Sequence, residues 1–346
     1  MKAVPLTGLK QMKLTEIEKP VFTGPGKVLI RIKSIGICGS DVHYYSEGQI
    51  GSQVVQYPFL VGHECSGIVE SVGENVTNVA VGDLVVIDPS VHCGTCDQCL
   101  SGRPHTCRNN RFLGCPGQLE GCLTEYIVMP AANCFPVTHR LDADEAALVE
   151  PLSIGIYAVK LAQITSAGTS AAILGAGPIG LSILFKLLAD GVKNTGVIEP
   201  LEYRLKKAGE IGAAFLVNPM DTDVLKAVSQ HEKLLLDVVF EASGEQEAVD
   251  NALEILKPGG KLILVGIPPS ASYLFNMDLM RRKEITVINV RRKNHCVDEA
   301  IALAADRRLD VKQMITHYLP LERTPEAFGM VEAYSDGVIK AVIRIS

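Results

Sequence analysis

Positive charge is the scarce commodity in this chain. Its 33 lysines and arginines are outnumbered by 39 aspartates and glutamates, giving a formal net charge of -6. That balance excludes a protein built to hold nucleic acid or an anionic membrane surface non-specifically, because both need clustered cations. Long apolar runs are missing as well, and without one the chain has no segment able to span a bilayer. The opening residues MKAVPLTGLKQMKL contain no continuous apolar segment followed by a small-residue cleavage site, so a cytosolic protein is expected. No internal repeat or low-complexity segment is present, which excludes a stacked-repeat architecture. What is left is an ordinary globular composition, 47% hydrophobic and 21% charged, over 346 residues. That length suits about two domains, each with its own core.

Four of the ten cysteines stand together: Cys93, Cys96, Cys99 and Cys107. Their neighbours (Gly94, Thr95, Asp97, Gln98, Ser101, Gly102, Arg103 and Pro104) cannot build an apolar core. A polar lobe of this kind needs a staple, and four thiolates at these spacings suit a tetrahedral zinc ion. Disulfides are the rival staple, but two-residue loops strain them and a reducing compartment opposes them. Cys65, Cys115, Cys122, Cys134 and Cys296 read most simply as small core residues.

Up to about Pro136 the pattern is short, β-rich and punctuated by glycine, as in Lys27–Ile35, Cys65–Val72, Asp83–Asp88 and Leu123–Met129. Such runs suggest a compact barrel-like domain. Leu141–Leu161 is helical in composition. From Thr169 onward, apolar strands alternate with helix-length segments. The strands are Ser170–Leu174, Gly196–Glu199, Ala214–Asn218, Leu236–Glu241, Lys261–Gly266 and Ile285–Val290. This alternation indicates a parallel sheet covered on both faces, and six strands complete a doubly wound dinucleotide fold. The remainder, with helices at Val297–Ala305 and near Pro325–Ala333 and a closing strand Lys340–Ile345, is too small to be a domain. It is expected to fold back onto the first. The expected division is therefore 1–150 with 291–346, and 151–290.

Ser170–Leu174 runs into Gly175-Ala176-Gly177-Pro178-Ile179-Gly180, and a helix follows. In that context the glycines serve a tight turn, close approach of a pyrophosphate, and close packing of helix on strand. The helix N-terminus then offers free N–H donors to the phosphates. Glu199 ends the next strand, 19 positions beyond Gly180. A carboxylate there accepts the ribose hydroxyls of NAD and repels the extra phosphate of NADP. Arg204 is read as packing beside the adenine or pairing with Glu199.

Three separated pieces form a second constellation. Cys38-Gly39-Ser40-Asp41-Val42-His43-Tyr44 ends a strand in a glycine-flanked turn, Gly62-His63-Glu64 forms another turn, and Glu150-Pro151-Leu152-Ser153 lies at the domain junction. A thiolate, an imidazole and a carboxylate from separate loops can hold zinc and leave a fourth position open, as a catalytic site requires.

Taken in order, GICGSD, GHECSGIVESVGENV, the four-cysteine lobe, VEPLSIG, GAGPIG, DVKQMITHYLPLERTPEAFGMV and DGVIKAVIRI resemble the zinc-containing medium-chain alcohol dehydrogenases, and within them the sorbitol/xylitol (polyol) branch. The resemblance covers essentially the whole chain. It implies a GroES-like β-barrel catalytic domain joined to a doubly wound, six-stranded Rossmann domain, with the active site in the cleft between them. It further implies NAD as cofactor and two zinc ions per chain, one catalytic and one structural at the four-cysteine lobe.

Cys38 and His63 match the catalytic zinc's ligands, and Glu64 matches the carboxylate that completes the shell. Glu150 takes the place of a further cysteine ligand and approaches the metal directly or through its water. Which of the two carboxylates is the direct ligand stays open here. Asp41 matches the carboxylate that orients the ligand imidazole. Ser40 matches the hydroxyl that meets the substrate oxygen, and His43 the far end of the proton relay. Val265, Gly266, Ile267, Val290 and Arg291 match cofactor-lining positions, and Tyr44, Glu150 and Arg292 substrate-lining ones. A homodimer or homotetramer is implied, joined through the edge strand Ile285–Val290.

One stretch departs from the polyol pattern. Where sorbitol dehydrogenases have a Phe-Arg-Tyr-like run, this chain has Arg291-Arg292-Lys293. Either the added charge meets a carboxylate or phosphate on the substrate, or the run is solvated and touches cofactor phosphates. The expected activity is oxidation of a secondary alcohol of a polyol or cyclitol to the ketose. A sugar-acid or sugar-phosphate dehydrogenase on the same scaffold is the alternative. A zinc-free quinone reductase or non-catalytic relative is the reading from another class.

Overall fold

The computed structural model describes residues 1–21, 24–269 and 272–346. Leaving aside several very short strands and single helical turns, the chain runs in this order. First come β1 (Lys27–Gly36), α1 (Gly39–Ser46), β2 (Glu64–Val72), β3 (Leu84–Ile87), β4 (Tyr126–Pro130), β5 (Cys134–Pro136) and α2 (Ala143–Ala162). Then come β6 (Ala171–Leu174), α3 (Pro178–Ala189), β7 (Thr195–Ile198), α4 (Glu202–Ile211), β8 (Phe215–Val217), α5 (Val224–His231), β9 (Leu236–Glu241), α6 (Gln246–Ile255), β10 (Leu256–Leu264), α7 (Met277–Lys283) and β11 (Thr286–Asn289). The chain closes with α8 (Val297–Ala305), β12 (Ile315–Pro320), α9 (Thr324–Glu332) and β13 (Lys340–Arg344).

Two compact units result, Met1–Glu150 with Ala300–Ser346, and Pro151–Glu299. Residues 291–299 thus group with the second unit, whereas the sequence reading drew the boundary at 290.

In the first unit β1 is the organising strand. Its Val28, Ile30 and Ile32 alternate into the core and are completely buried, the period-two pattern of a strand with one packed face. Along one edge β1 pairs antiparallel with β2 over most of its length. Along the other it pairs with β4 through Lys27–Arg31 and with β13 through Ser34–Gly36. One strand therefore joins residues from both ends of the chain. The sheet order is β5-β3-β2-β1-β13-β12, with β4 also on β1, and β12 lies parallel to β13. The apolar core takes in Ile35, Val61, Leu123, Met129 and, from α9, Phe328. The Phe328 ring lies 5.4 Å from that of Tyr45 on α1, which fastens the C-terminal helix to the helix that carries the site.

The second unit is a six-stranded parallel sheet in the order β8-β7-β6-β9-β10-β11. The strand order reverses between β6 and β9, where open α/β sheets form a ligand crevice. Its strands are nearly continuous apolar runs because both faces are covered: all four residues of β6 are buried. No helix among the described residues is long and apolar enough to cross a membrane.

One local expectation is corrected. The residues after Cys38 form α1 rather than a strand-ending turn, with Cys38 in extended geometry at the helix start and the Asp41 carboxylate accepting its N–H at 3.3 Å. Polar Ser40, Asp41 and His43 gave this helix no clear apolar stripe to read. Glu150–Ser153 lies inside α2, within the stretch read as helical, and the two units divide between Glu150 and Pro151.

Candidate functional site

α1 and β2 supply a first cluster. Cys38 caps α1, His63 precedes β2 and Glu64 begins it. The thiol, an imidazole nitrogen and a carboxylate oxygen of these three all lie within 4.8 Å of one another. Asp41, 1% exposed, is the brace behind them. One of its oxygens lies 3.3 Å from His63 Nδ1 and accepts the Gly62 N–H at 3.1 Å, while the other accepts the Cys38 N–H. Held through Nδ1, the ring presents Nε2 to a metal. The Phe112 ring, 5.2 Å away, flanks it.

The electrostatics favour a cation here. Burial works against a charged imidazole, yet the negative charges of Asp41 and Cys38 outweigh it and raise the proton affinity of His63 well above the usual histidine range. Anions that attract a proton so strongly also attract a divalent metal. Sulfur, nitrogen and oxygen donors with one open position are the zinc set of a catalytic site.

Lys340, on β13, escaped the sequence reading. It is 1% exposed, and its ammonium lies 2.5 Å from Glu64 Oε2 and donates to the Ile37 carbonyl at 2.9 Å. Burial opposes its charge, but Glu64, Cys38 and Glu150 together raise its pKa. The signal was present: a lysine in the apolar strand Val338-Ile339-Lys340-Ala341-Val342-Ile343 must point somewhere, and here it points inward. Glu150, buried on α2, acts on Lys340 but is not one of the three clustered donors. The structure thus brings Glu64, rather than Glu150, to Cys38 and His63.

Ser40 Oγ lies 3.3 Å from Cys38 Sγ. His43, on the same helix, has Nδ1 2.8 Å from Glu47 Oε1, which leaves Nε2 as its free nitrogen. Tyr44 is buried and donates to Gln53 Oε1 at 2.9 Å.

The lobe gathers its four cysteines at sulfur–sulfur distances of 3.4 Å (Cys93–Cys107), 3.6 Å (Cys96–Cys99), 3.8 Å (Cys96–Cys107) and 4.0 Å (Cys93–Cys99). Four sulfurs about 2.3 Å from a central zinc would stand about 3.8 Å apart, so the cage already has the right size. All ten cysteines are free thiols, and Cys65, Cys115, Cys122, Cys134 and Cys296 are buried. Hydrogen bonds from Thr95, then Cys96 and Cys107, bring the Cys93 thiol down to about 5. Burial and its neighbouring thiols push Cys99 up to about 12. Four sulfurs this close cannot all ionise without a cation among them.

The second unit builds the dinucleotide turn. Gly175 has φ +99, and a Cβ on Gly180 would collide with the Gly175 carbonyl. Gly177 caps α3, with Pro178 in its first turn and Ile179 following. Beside Gly177 the nearest atom to a built Cβ belongs to the Arg204 guanidinium, at 3.7 Å. Arg204 therefore stands at the phosphate turn.

Glu199, 3% exposed, accepts the Ala176 N–H at 2.6 Å and the Leu201 N–H at 3.0 Å, one on each oxygen. Each oxygen keeps a lone pair for a hydroxyl. Val265, Gly266 and Ile267 follow β10, and Val290 and Arg291 follow β11, all at the carboxyl end of the sheet. The charged run is not uniformly solvated. Arg291 is exposed, Arg292 is half-buried with φ +53, and Lys293 is only 7% exposed.

Comparison with known proteins agrees with this geometry. Residues 24–139 match the alcohol dehydrogenase GroES-like domain, and residues 178–306 match the zinc-binding dehydrogenase domain. A Bacillus subtilis sorbitol dehydrogenase is 32% identical over 344 residues, covering 99% of this chain and 97% of that protein. The chain belongs to the zinc-binding alcohol dehydrogenase family. A Vitis vinifera L-idonate 5-dehydrogenase is 32% identical over 317 residues, 90% of this chain and 86% of its own length. An Escherichia coli oxidoreductase of unknown specificity has a solved structure that superposes with a TM-score of 0.94 at 33% identity, covering 100% of this chain and 99% of that one. Like its relatives, this dehydrogenase combines a GroES-like unit with a nicotinamide-dinucleotide sheet.

The Glu64–Lys340 pair is open to test. Lys340→Ala would leave a carboxylate buried without its partner, at a cost of about 3–5 kcal/mol. The urea unfolding midpoint should fall accordingly. The double variant Glu64→Gln/Lys340→Met should recover much of the loss, and simple additivity of the single changes would contradict the pairing.

Proposed function

We propose that this dehydrogenase oxidises a secondary alcohol of a polyol, sugar alcohol or cyclitol to the ketose, with NAD as hydride acceptor and two zinc ions per chain. The observation that carries the reading is the Cys38–His63–Glu64 triple braced by Asp41, in a chain similar over nearly its whole length to a sorbitol dehydrogenase. Cys38, His63 and Glu64 would hold zinc, which would supply Lewis acidity at the substrate hydroxyl, and NAD would supply the hydride acceptor. The chain's own residues handle the proton. Ser40, beside Cys38, is placed to accept it from the substrate hydroxyl. His43, with Nδ1 engaged by Glu47, is placed to pass it on through Nε2. Tyr44 and Arg292 are assigned to the substrate, and Glu150 to water at the metal.

A sugar acid is the second reading. It is favoured by the buried Lys293 next to Arg292 and by the similarity to an L-idonate 5-dehydrogenase. A rate survey with polyols, inositols, aldonates and sugar phosphates separates the two. Turnover of neutral polyols is expected, and activity confined to aldonates would replace the first reading with the second. The protein is assigned to the cytosol as a homodimer or homotetramer joined through the β11 edge.

Metal analysis should find two zinc ions per chain. Cys38→Ser should lose one of them and its turnover, yet stay folded and bind NAD. Cys99→Ser should lose stability, because structural zinc contributes folding energy directly. Two variants equally stable and equally inactive would refute this division of labour.

Cofactor choice follows from Glu199. A carboxylate facing a 2′-phosphate loses hydrogen bonds and gains repulsion, about 2–4 kcal/mol, or roughly a 30- to 1,000-fold preference for NAD in kcat/KM. Glu199→Ser should shrink that ratio, with Arg204 at the phosphate turn free to receive the extra phosphate. Equal use of NADP by the unmodified enzyme would show that Arg204, not Glu199, sets the choice.

A further inference from the structure

Glu241 ends β9 and has no part in the mechanism above. It is 0% exposed. Its Oε1 accepts the Ser243 N–H at 2.7 Å, the Ser243 hydroxyl at 2.6 Å and the Gly244 N–H at 2.7 Å. Its Oε2 accepts the Tyr273 hydroxyl at 3.4 Å. Among the described residues no lysine, arginine or histidine forms an ion pair with it. It is a buried carboxylate stabilised by dipoles alone, a costly arrangement that a fold keeps only where every lone pair is engaged.

Its position gives the charge a meaning. Glu241 is the register partner of Leu174, the residue that leads into Gly175, so it stands at the point where the strand order reverses. The turns after β6, β9 and β10 meet around it. A Cβ on Gly175 would lie 3.0 Å from Ser243 N, and one on Gly266 would lie 2.7 Å from Glu241 Oε2. The adenosine half of a dinucleotide belongs over β6, β7 and β8, where Glu199 directly follows β7. The nicotinamide half therefore belongs over β9 and β10, on the side of Glu241. The Tyr273 hydroxyl has its pKa raised, first by burial and then by the Glu241 charge beside it.

The nicotinamide ring is cationic in the oxidised coenzyme and neutral in the reduced one. We propose that Glu241 places a fixed negative charge at the nicotinamide end of the crevice and so makes the protein bind the oxidised coenzyme in preference to the reduced one. This rests on the coenzyme site assigned above, but not on the identity of the alcohol.

The test is to measure dissociation constants for NAD⁺ and NADH by calorimetry on the zinc-loaded protein, with no alcohol present. In Glu241→Gln, which keeps the shape and removes the charge, the ratio Kd(NAD⁺)/Kd(NADH) should rise about tenfold, almost entirely through weaker NAD⁺ binding. Tyr273→Phe strips one donor from the carboxylate and keeps its charge, so the ratio should fall about twofold. Equal changes in both constants would mark Glu241 as structural only and overturn the proposal, as would an unchanged ratio. If Glu241→Gln does not fold, Tyr273→Phe decides, and a ratio that rises or stays level overturns it. A wild-type protein that binds neither coenzyme would overturn the coenzyme site itself and this proposal with it.

Discussion

The first unit depends on one buried contact, the ion pair between Glu64 and Lys340. Two charges taken out of water are tolerated only when each is closely partnered. Lys340 therefore has to reach Glu64 and the Ile37 carbonyl, and β13 has to lie beside β1 for it to do so. The same lysine neutralises part of the negative charge gathered by Cys38, Asp41 and Glu64, which would otherwise repel one another in a low-dielectric site. The metal cluster and the return of the C-terminal segment are thus one electrostatic arrangement seen from two sides.

The second unit answers to a different constraint, the close approach of backbones at the carboxyl ends of parallel strands. Helices can start there, and phosphates can be held there, only if the turns carry little side-chain bulk. Carboxylates then do the work that larger side chains cannot. Glu199 ties the strand end to the glycine turn through the Ala176 N–H. Glu241 ties the turn after β9 to the strap bearing Tyr273. One unit therefore concentrates donors for a cation, while the other concentrates N–H groups for anions, with acidic side chains placed where they shape which dinucleotide fits.

Much of this was readable from residues alone, for identifiable reasons. The parallel strands announce themselves because burial on both faces makes them uniformly apolar: Leu236–Glu241 and the helix Pro178–Ala189 were placed to the residue. The four-cysteine lobe was also legible, because thiolate spacing for a tetrahedral metal is chemically narrow, and the Cys38, His63 and Glu64 set was legible through the family resemblance. α1 was not, since its Ser40, Asp41 and His43 are spent on the site rather than on an apolar stripe. Glu150 read as a junction residue, and the two units do divide between Glu150 and Pro151, inside α2.

By itself the sequence determined the fold class, the glycine turn and the four-cysteine lobe, because each rests on local spacing or on a periodic apolar pattern, whereas the grouping of Cys38, His63 and Asp41 in one centre came from the family resemblance. Tertiary structure alone decided that Glu64 comes within 4.8 Å of Cys38 and His63, that Lys340 lies behind Glu64, and that Glu241 stands at the strand-order reversal with no ion-pair partner among the described residues. These are matters of which distant atoms come within a few ångströms, and no local pattern encodes them. Residues 64 and 340 meet only because β1 pairs with both β2 and β13.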